Sequence, residues 1–590
     1  MCKNIIIYMR SIRTSVLFSF LVLAVGTTLS VEAQEKEDDL DTEVVNIVKP
    51  YTPTISDAFK VKETPTLNDS ISTQKKEVKY SIFSVPVAST FTPAKGKAAT
   101  VEKAKPIKLY DNYATAGLGN YQNYLAEFYS NFQLSRTDNA GFFFRHNSSR
   151  GGIDEVRTDN KYLDTQLDAN YSSNQKDITY RIEAGGEHQY FNWYGLNDHF
   201  NELPAIVLDE VDLWQTYFGG YLGGSISLED SFFEEAALRF RYAGDAYSTS
   251  EIRANLQSEF AFRVQDFDFE LDAEVDYLNG SFKQGLYTKN DSEYGFLNVG
   301  IKPSIAIVRD DWTVDLGVGA YLSLDQKASS SSFYIYPQVS ASYRVVDELL
   351  IAYGGLEGGL KQNTYYDFKE QNPFVSPTLT LMPTSQLYDA YVGLKGKLSN
   401  SIGYNIRGSF ARENDKALFK SNAYDITETV IQDFEFGNSF QVVYDDVNVL
   451  NFFAELKVEA SDVFTLGISA EYFSYITDLE EEAWNLPELK ATLFSNFNIT
   501  EKIYGGASLF YVGERKDQEF EYGGIVVNEP MEITLDGYLD ANLHLGYRVN
   551  EQLSIFAKGS NLLGDNYERW NNYPVLGIQG MLGATYKFDW

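Results

Sequence analysis

Five carboxylates occupy every second position of one short segment: Asp268, Glu270, Asp272, Glu274 and Asp276. A spacing of two places them all on one face of an extended strand. Such a row attracts cations or a basic partner, or it forms one polar wall balanced by neighbouring bases. Arg253 and Arg263 lie on the preceding segment and suit the second role. The row is therefore read first as part of an acidic interior wall, ahead of a dedicated site.

Other reactive residue types are sparse. The four histidines, His146, His188, His199 and His544, show no metal-ligand spacing and are read as structural or solvated. No serine sits in a nucleophile elbow, and no Walker or dinucleotide motif appears. The single cysteine, Cys2, precedes the first apolar run. A mature chain without it has no thiol for disulfides, zinc or nucleophilic attack. No metal, cofactor or catalytic residue is expected. The segment 362–386 carries Tyr365, Tyr366, Phe368 and Phe374 with three prolines. These aromatics either face outward to a saccharide or protein, or fold inward to fill an interior.

These residues need elements to hold them, and the sequence shows which. The chain has 590 residues, a net charge of −34 and 15% aromatics. Residues 1–33 read as a secretory signal: Lys3, Arg10 and Arg13, an apolar core Val16–Val25, and Val31-Glu32-Ala33 before Gln34. Residues 34–107 form a Pro- and Lys-containing irregular tail of zero net charge, so residues 108–590 carry −36. That acidity excludes nucleic acid as a partner. No later apolar run reaches the roughly 18 residues of a membrane helix.

From about residue 112 the pattern alternates apolar and polar with period two. Phe267, Phe269, Leu271, Ala273, Val275 and Tyr277 interleave with the carboxylate row. About 22 such strands follow, within a range of 20 to 24, with the segments 401–424 and 440–460 the least regular. Connections alternate between short polar turns, such as Asn174–Asp177 and Ser399–Ser401, and long loops. The long ones include 149–160, 195–211, 278–293, 362–386, 425–438, 513–535 and 563–575. This asymmetry predicts an all-β fold: a closed antiparallel transmembrane barrel with short periplasmic turns and long extracellular loops. Both termini are then periplasmic. A soluble propeller would need shorter strands and a blade repeat, which is absent.

The last 145 residues resemble the end of a TonB-dependent receptor barrel. The resemblance rests on Leu509–Arg515 (LFYVGER), Leu553–Tyr567 (LSIFAKGSNLLGDNY), Tyr573-Pro574 and Gly583–Phe588 (GATYKF), in that order. It implies that Gly583, Tyr586, Phe588 and Trp590 form the C-terminal signal read by the barrel-assembly machinery. Met581 departs from the polar residue usual at its position. The resemblance fails at the N-terminus, where the 74-residue tail lacks the arginine-glycine signature of a folded plug. Asp41, Thr42, Glu43, Val44 and Val45 resemble the start of a TonB box. A receptor-like barrel with a short Pro- and Lys-containing tail resembles plug-less relatives common in Bacteroidota, which implies outer-membrane lipid around it and TonB or another envelope protein as partner. Uptake of a solute across the outer membrane is the first expectation. A structural or accessory barrel in an assembly, secretion or export complex is the second, and an outer-membrane enzyme the third.

Overall fold

The computed structural model describes residues 108–590, apart from 155, 157, 197–212, 266, 287–289, 425–432, 462 and 524–525. The signal, the tail and the TonB-box-like segment lie outside the described residues. Strands follow one another along the chain. The first are β1 (Asn112–Gly119), β2 (Tyr124–Gln133), β3 (Asp138–Arg150), β4 (Lys161–Asn174), β5 (Ile178–Asn192), β6 (Trp214–Leu228) and β7 (Phe233–Asp245). Next come β8 (Ser250–Val264), β9 (Phe267–Phe282), β10 (Ser292–Arg309), β11 (Trp312–Asp325), β12 (Ser330–Val346) and β13 (Leu350–Lys361). A seven-residue helix, α1 (Tyr365–Gln371), precedes β14 (Thr384–Ser399), β15 (Ile402–Ser421), β16 (Phe440–Ser461), β17 (Phe464–Thr477), β18 (Leu489–Asn498) and β19 (Ile503–Val512). The rest are β20 (Arg515–Gly523), β21 (Val526–Leu535), β22 (Tyr538–Arg548), β23 (Leu553–Ser560), β24 (Glu568–Trp570), β25 (Tyr573–Pro574) and β26 (Gln579–Phe588).

Twenty-two of these strands form one antiparallel sheet in which each pairs with its neighbours along the chain. The sheet closes when β1 pairs with β26, from Asn112 opposite Phe588 to Gly119 opposite Met581. Closure leaves no free edge, which backbone in lipid requires. Side chains reinforce the seam: Asn112 Nδ2 donates to the Phe588 carbonyl at 3.0 Å, and the Thr115 and Thr585 hydroxyls lie 2.9 Å apart. The alternation read from the sequence becomes an outer apolar skin. Ile335 is 66% and Val392 72% exposed to the surroundings. In a water-soluble protein that skin would be a large unburied patch; around a barrel it is the lipid face.

The expected count of about 22 strands and the start near residue 112 agree with the observed sheet. The two least regular segments are the longest strands, β15 with 20 residues and β16 with 22. About 10 residues cross a membrane as a tilted strand, so this pair stands well beyond it. Three expected loops are more ordered than their composition suggested. The 278–293 connection is shorter, because β9 runs to Phe282 and β10 begins at Ser292. Residues 513–535 contain the hairpin β20–β21, and residues 568–574 contain the ribbon β24–β25. Neither hairpin joins the barrel sheet. Both chain ends of the barrel lie at the end with the short turns, tied by Lys108 to Asp589 at 2.9 Å.

Candidate functional site

The carboxylate row lies on β9, facing the lumen, opposite the lipid-facing Phe267 and Val275. It runs from Asp268 at the short-turn end to Asp276 beneath the long-loop end. Its members have different surroundings. Asp276 is buried and accepts from Arg253 Nε at 2.9 Å and Nη2 at 2.5 Å. Asp268 pairs with Arg263 at 2.9 Å, but both are largely exposed. Glu274 accepts from the Asn255 amide at 3.1 Å. Asp272 stands opposite Glu259 on one side and Lys302 on the other, and Glu270 opposite Ala261 and Ser304. The row is thus one lumen wall, with its two ends held by arginines.

The densest chemistry lies above it, in the loop between β13 and β14. Thr364 caps α1, its hydroxyl accepting from the Asp367 amide at 3.0 Å. The helix leans on the β5–β9 wall. Glu251 of β8, 1% exposed, accepts the Tyr365 amide at 2.7 Å, the Tyr366 amide at 3.2 Å and the Tyr294 hydroxyl at 2.9 Å. A carboxylate here satisfies two of the backbone donors that open a helix. The Tyr365 hydroxyl donates to Asp245 at 2.7 Å. Burial, reinforced by that carboxylate, pushes the Tyr365 phenol well above its usual range, so it stays a donor. Arg241 of β7 donates to the Thr364 hydroxyl at 3.0 Å and stacks 3.8 Å from the centre of the Tyr366 ring. Lys369, also buried, pairs with Glu187 of β5 and donates to Gln189 Oε1 at 2.9 Å.

Beyond the helix the loop is pinned to the far loops. Trp193 Nε1 and the Tyr217 hydroxyl both donate to the Pro373 carbonyl, at 3.3 and 2.7 Å. Val375 bridges Phe440, and the Ser376 amide donates to the Phe440 carbonyl at 2.8 Å. Phe374 stacks on Tyr573 with centroids 3.5 Å apart, and Phe368 meets Phe419 edge-on. Trp193, Phe434, Phe440 and Tyr573 form one buried aromatic cluster with Phe374. The Tyr573 hydroxyl donates to the Asn438 carbonyl at 2.6 Å, while Asn438 Nδ2 donates to the Trp193 carbonyl at 3.1 Å. Asp517 of β20 accepts the Ser421 amide and hydroxyl at 3.0 and 2.9 Å. Its burial raises its carboxyl pKa against these bonds. Several long loops therefore converge on two buried clusters at the long-loop mouth, with Trp570 packed against both. We call this the cap.

The cap decides the reading of the 362–386 aromatics: Tyr365, Phe368 and Phe374 are buried and fold inward. Sequence reasoning missed Glu251, Asp245, Arg241 and Glu187. Each sits on a regular lumen-facing strand position and has no local signature; its contacts to the Thr364–Tyr366 segment span more than 110 residues.

Other expected residues are placed as follows. Tyr586 and Phe588 stack on the outer face of β26, and Trp590 stacks on Phe132 and donates to the Ser130 hydroxyl at 3.0 Å. Phe556 lies over Gly583, in the space a side chain there would need. His146 bonds Thr165 and Ser148, and His544 stands opposite Lys558. His199 is outside the described residues. Among those residues, no group of three or more His, Cys, Asp or Glu is arranged to hold a metal ion.

Solved structures share this barrel fold. The FrpB iron transporter from Neisseria meningitidis (F3-3 variant) aligns with a TM-score of 0.61 at 9% identity, over 82% of this chain and 82% of its own. The siderophore receptor PirA from Acinetobacter baumannii aligns at 0.60 and 12%, over 82% and 81%. This is the barrel fold of the TonB-dependent receptors. The ferric enterobactin receptor mutant from Pseudomonas aeruginosa also aligns, at 0.57 and 11%, over 81% and 80%. No protein-family profile and no curated protein matches the sequence. The likeness is one of fold and covers about four fifths of the chain.

Proposed function

We propose that this protein is an outer-membrane uptake barrel, with the long-loop end outside the cell and both termini in the periplasm. The observation that carries the reading is the cap. A 22-stranded barrel is wide, and known barrels of that size are plugged. Here the protein's own buried loop packs across the long-loop mouth, anchored on ionisable lumen residues. Such an anchor can be released without breaking the barrel wall. A purely architectural barrel has no need of it.

The acidic lumen below the cap favours cationic solutes and basic segments of protein. Residues 75–108 carry eight Lys and two Glu, and they precede the −36 barrel. We assign this segment to the periplasmic mouth or the lumen, with Asp41–Val45 as the contact for TonB. In a barrel whose cap loop 364–382 is replaced by a short Gly-Ser link, deleting residues 34–107 is expected to raise conductance further in planar bilayers. Unchanged conductance would remove the tail as a lumen filler. Solute uptake in cells should stop when the proton-motive force is collapsed or when Val44 is replaced by proline. Uptake that persists argues for a passive channel. A barrel that carries no solute and co-purifies in fixed ratio with an envelope protein would favour the accessory role instead. Gly583, Tyr586, Phe588 and Trp590 are assigned to recognition by the assembly machinery. Phe588→Ser should lower the yield of folded barrel in the membrane, and a normal yield would refute that assignment.

A further inference from the structure

A cavity of about 340 Å³ lies under α1, against the β8–β11 wall. Its size suits a small molecule. Arg253, Glu274, Asp276, Asn298, Tyr321 and Asp367 line it. These groups are unequally satisfied. Asp276 is held by Arg253, and Asp367 lies 3.4 Å from Arg241 and 3.6 Å from Arg253. Glu274 has no basic partner among the described residues and accepts only from the neutral Asn255 amide.

Asn298 carries the stronger signal. It is 5% exposed. Its Nδ2 donates to Gln362 Oε1 at 2.7 Å, and Gln362 Nε2 donates to the Asn363 carbonyl at 2.9 Å. That carbonyl can only accept, so it fixes the orientation of both amides. Asn298 Oδ1 is left buried with no donor. A buried acceptor in this state costs free energy until something donates to it.

The register brings the two unsatisfied groups together. Asp276 faces Asn298 and Glu274 faces Gly300, so Glu274 and Asn298 are diagonal neighbours on adjacent strands. Gly300 has no side chain, and the Tyr321 ring of β11 fills the space above it. Glu274, Asn298 and the Tyr321 ring thus line one small space, with the Asn298 Oδ1 buried at its wall.

We propose that this cavity binds the primary ammonium group of a small, singly charged solute. An ammonium supplies three N–H donors and a positive charge. It answers Glu274 and Asn298 Oδ1 together, and the ring adds cation–π attraction. Neutral polyols can donate to Asn298 but leave the Glu274 charge unmatched. Quaternary ammonium ions match the charge but donate nothing. Arg253 and Lys361 at the cavity wall repel a second positive charge. The proposal rests on the uptake reading and narrows it to a solute class.

The test titrates the full chain, purified in detergent, by calorimetry below the pKa of the sugar amine. The probes are glucosamine, its neutral counterpart glucose, and tetramethylammonium. Glucosamine should bind at least about tenfold more tightly than either of the others. Glu274→Gln and Asn298→Leu should each weaken glucosamine by about tenfold, while Asp268→Asn at the far end of the row leaves it unchanged. Equal binding of glucose and glucosamine, no binding by any probe, or an unaffected Glu274→Gln variant overturns the site. The uptake reading is judged separately, by conductance after cap removal. A barrel that opens but shows no amine preference loses this site and keeps that reading.

Discussion

The two ends of the barrel are built from the same strands but held by different physics. At the short-turn end, connections such as β10–β11 span two residues, and the carboxylate row ends in the exposed Arg263–Asp268 pair. Order there is local: each turn is fixed by the strands it joins. At the long-loop end, Glu251, Asp245, Lys369 and Trp193 are buried, with partners more than 110 residues away in sequence. Order there is collective, since no loop of the cap packs without the others. Charge shows the same contrast. An ion pair in water contributes little. A buried carboxylate that receives several hydrogen bonds is costly to disturb. The lumen wall can therefore stay fixed while the cap rearranges, as the proposed uptake role requires.

Removing the cap should produce the largest effect. Replacing residues 364–382 with a short Gly-Ser link should turn a nearly closed barrel into a wide pore in planar bilayers. Unchanged conductance would mean that something else closes the lumen, and the contrast between the ends would lose its functional meaning. Next comes Trp193→Ala, which empties the aromatic cluster and should cost the cap about 3–5 kcal/mol. Hydrogen exchange should then speed up across 365–376 and not in β15 or β16 beside it. Equal acceleration in the strands would show that the cap and wall are one cooperative unit. Glu251→Gln keeps the shape but removes the charge at the start of α1, at an expected cost of about 1–3 kcal/mol. Faster limited proteolysis within 363–383 would report it. The smallest effect belongs to Asp268→Asn, which removes an exposed pair and should change stability by less than about 1 kcal/mol. A larger loss would show that the short-turn end is also held collectively.

The sequence made the barrel legible because its information is periodic and local. A side-chain period of two separates a lipid face from a lumen face, and turn residues mark where each strand reverses. Segments such as Phe267–Tyr277 therefore reveal their orientation without any partner. The strand count and the turn-loop parity could be read residue by residue. The β20–β21 hairpin was less visible, because it pairs outside the sheet and needs no lipid-facing alternation. The cap was invisible for a related reason. Tyr365, Phe368 and Phe374 announced an aromatic loop, but inward and outward folding leave the same sequence pattern. Glu251 and Asn298 look like any other polar residue on a lumen face. What the sequence determined alone was the wall, because each strand's alternation must satisfy lipid and water independently of the rest. Only the tertiary structure decided that the long loops pack into a buried core at one mouth and that Glu274 and Asn298 line one cavity beneath it. Those contacts join segments far apart in the chain, and burial, which sets their energy, exists only once the barrel has closed around them.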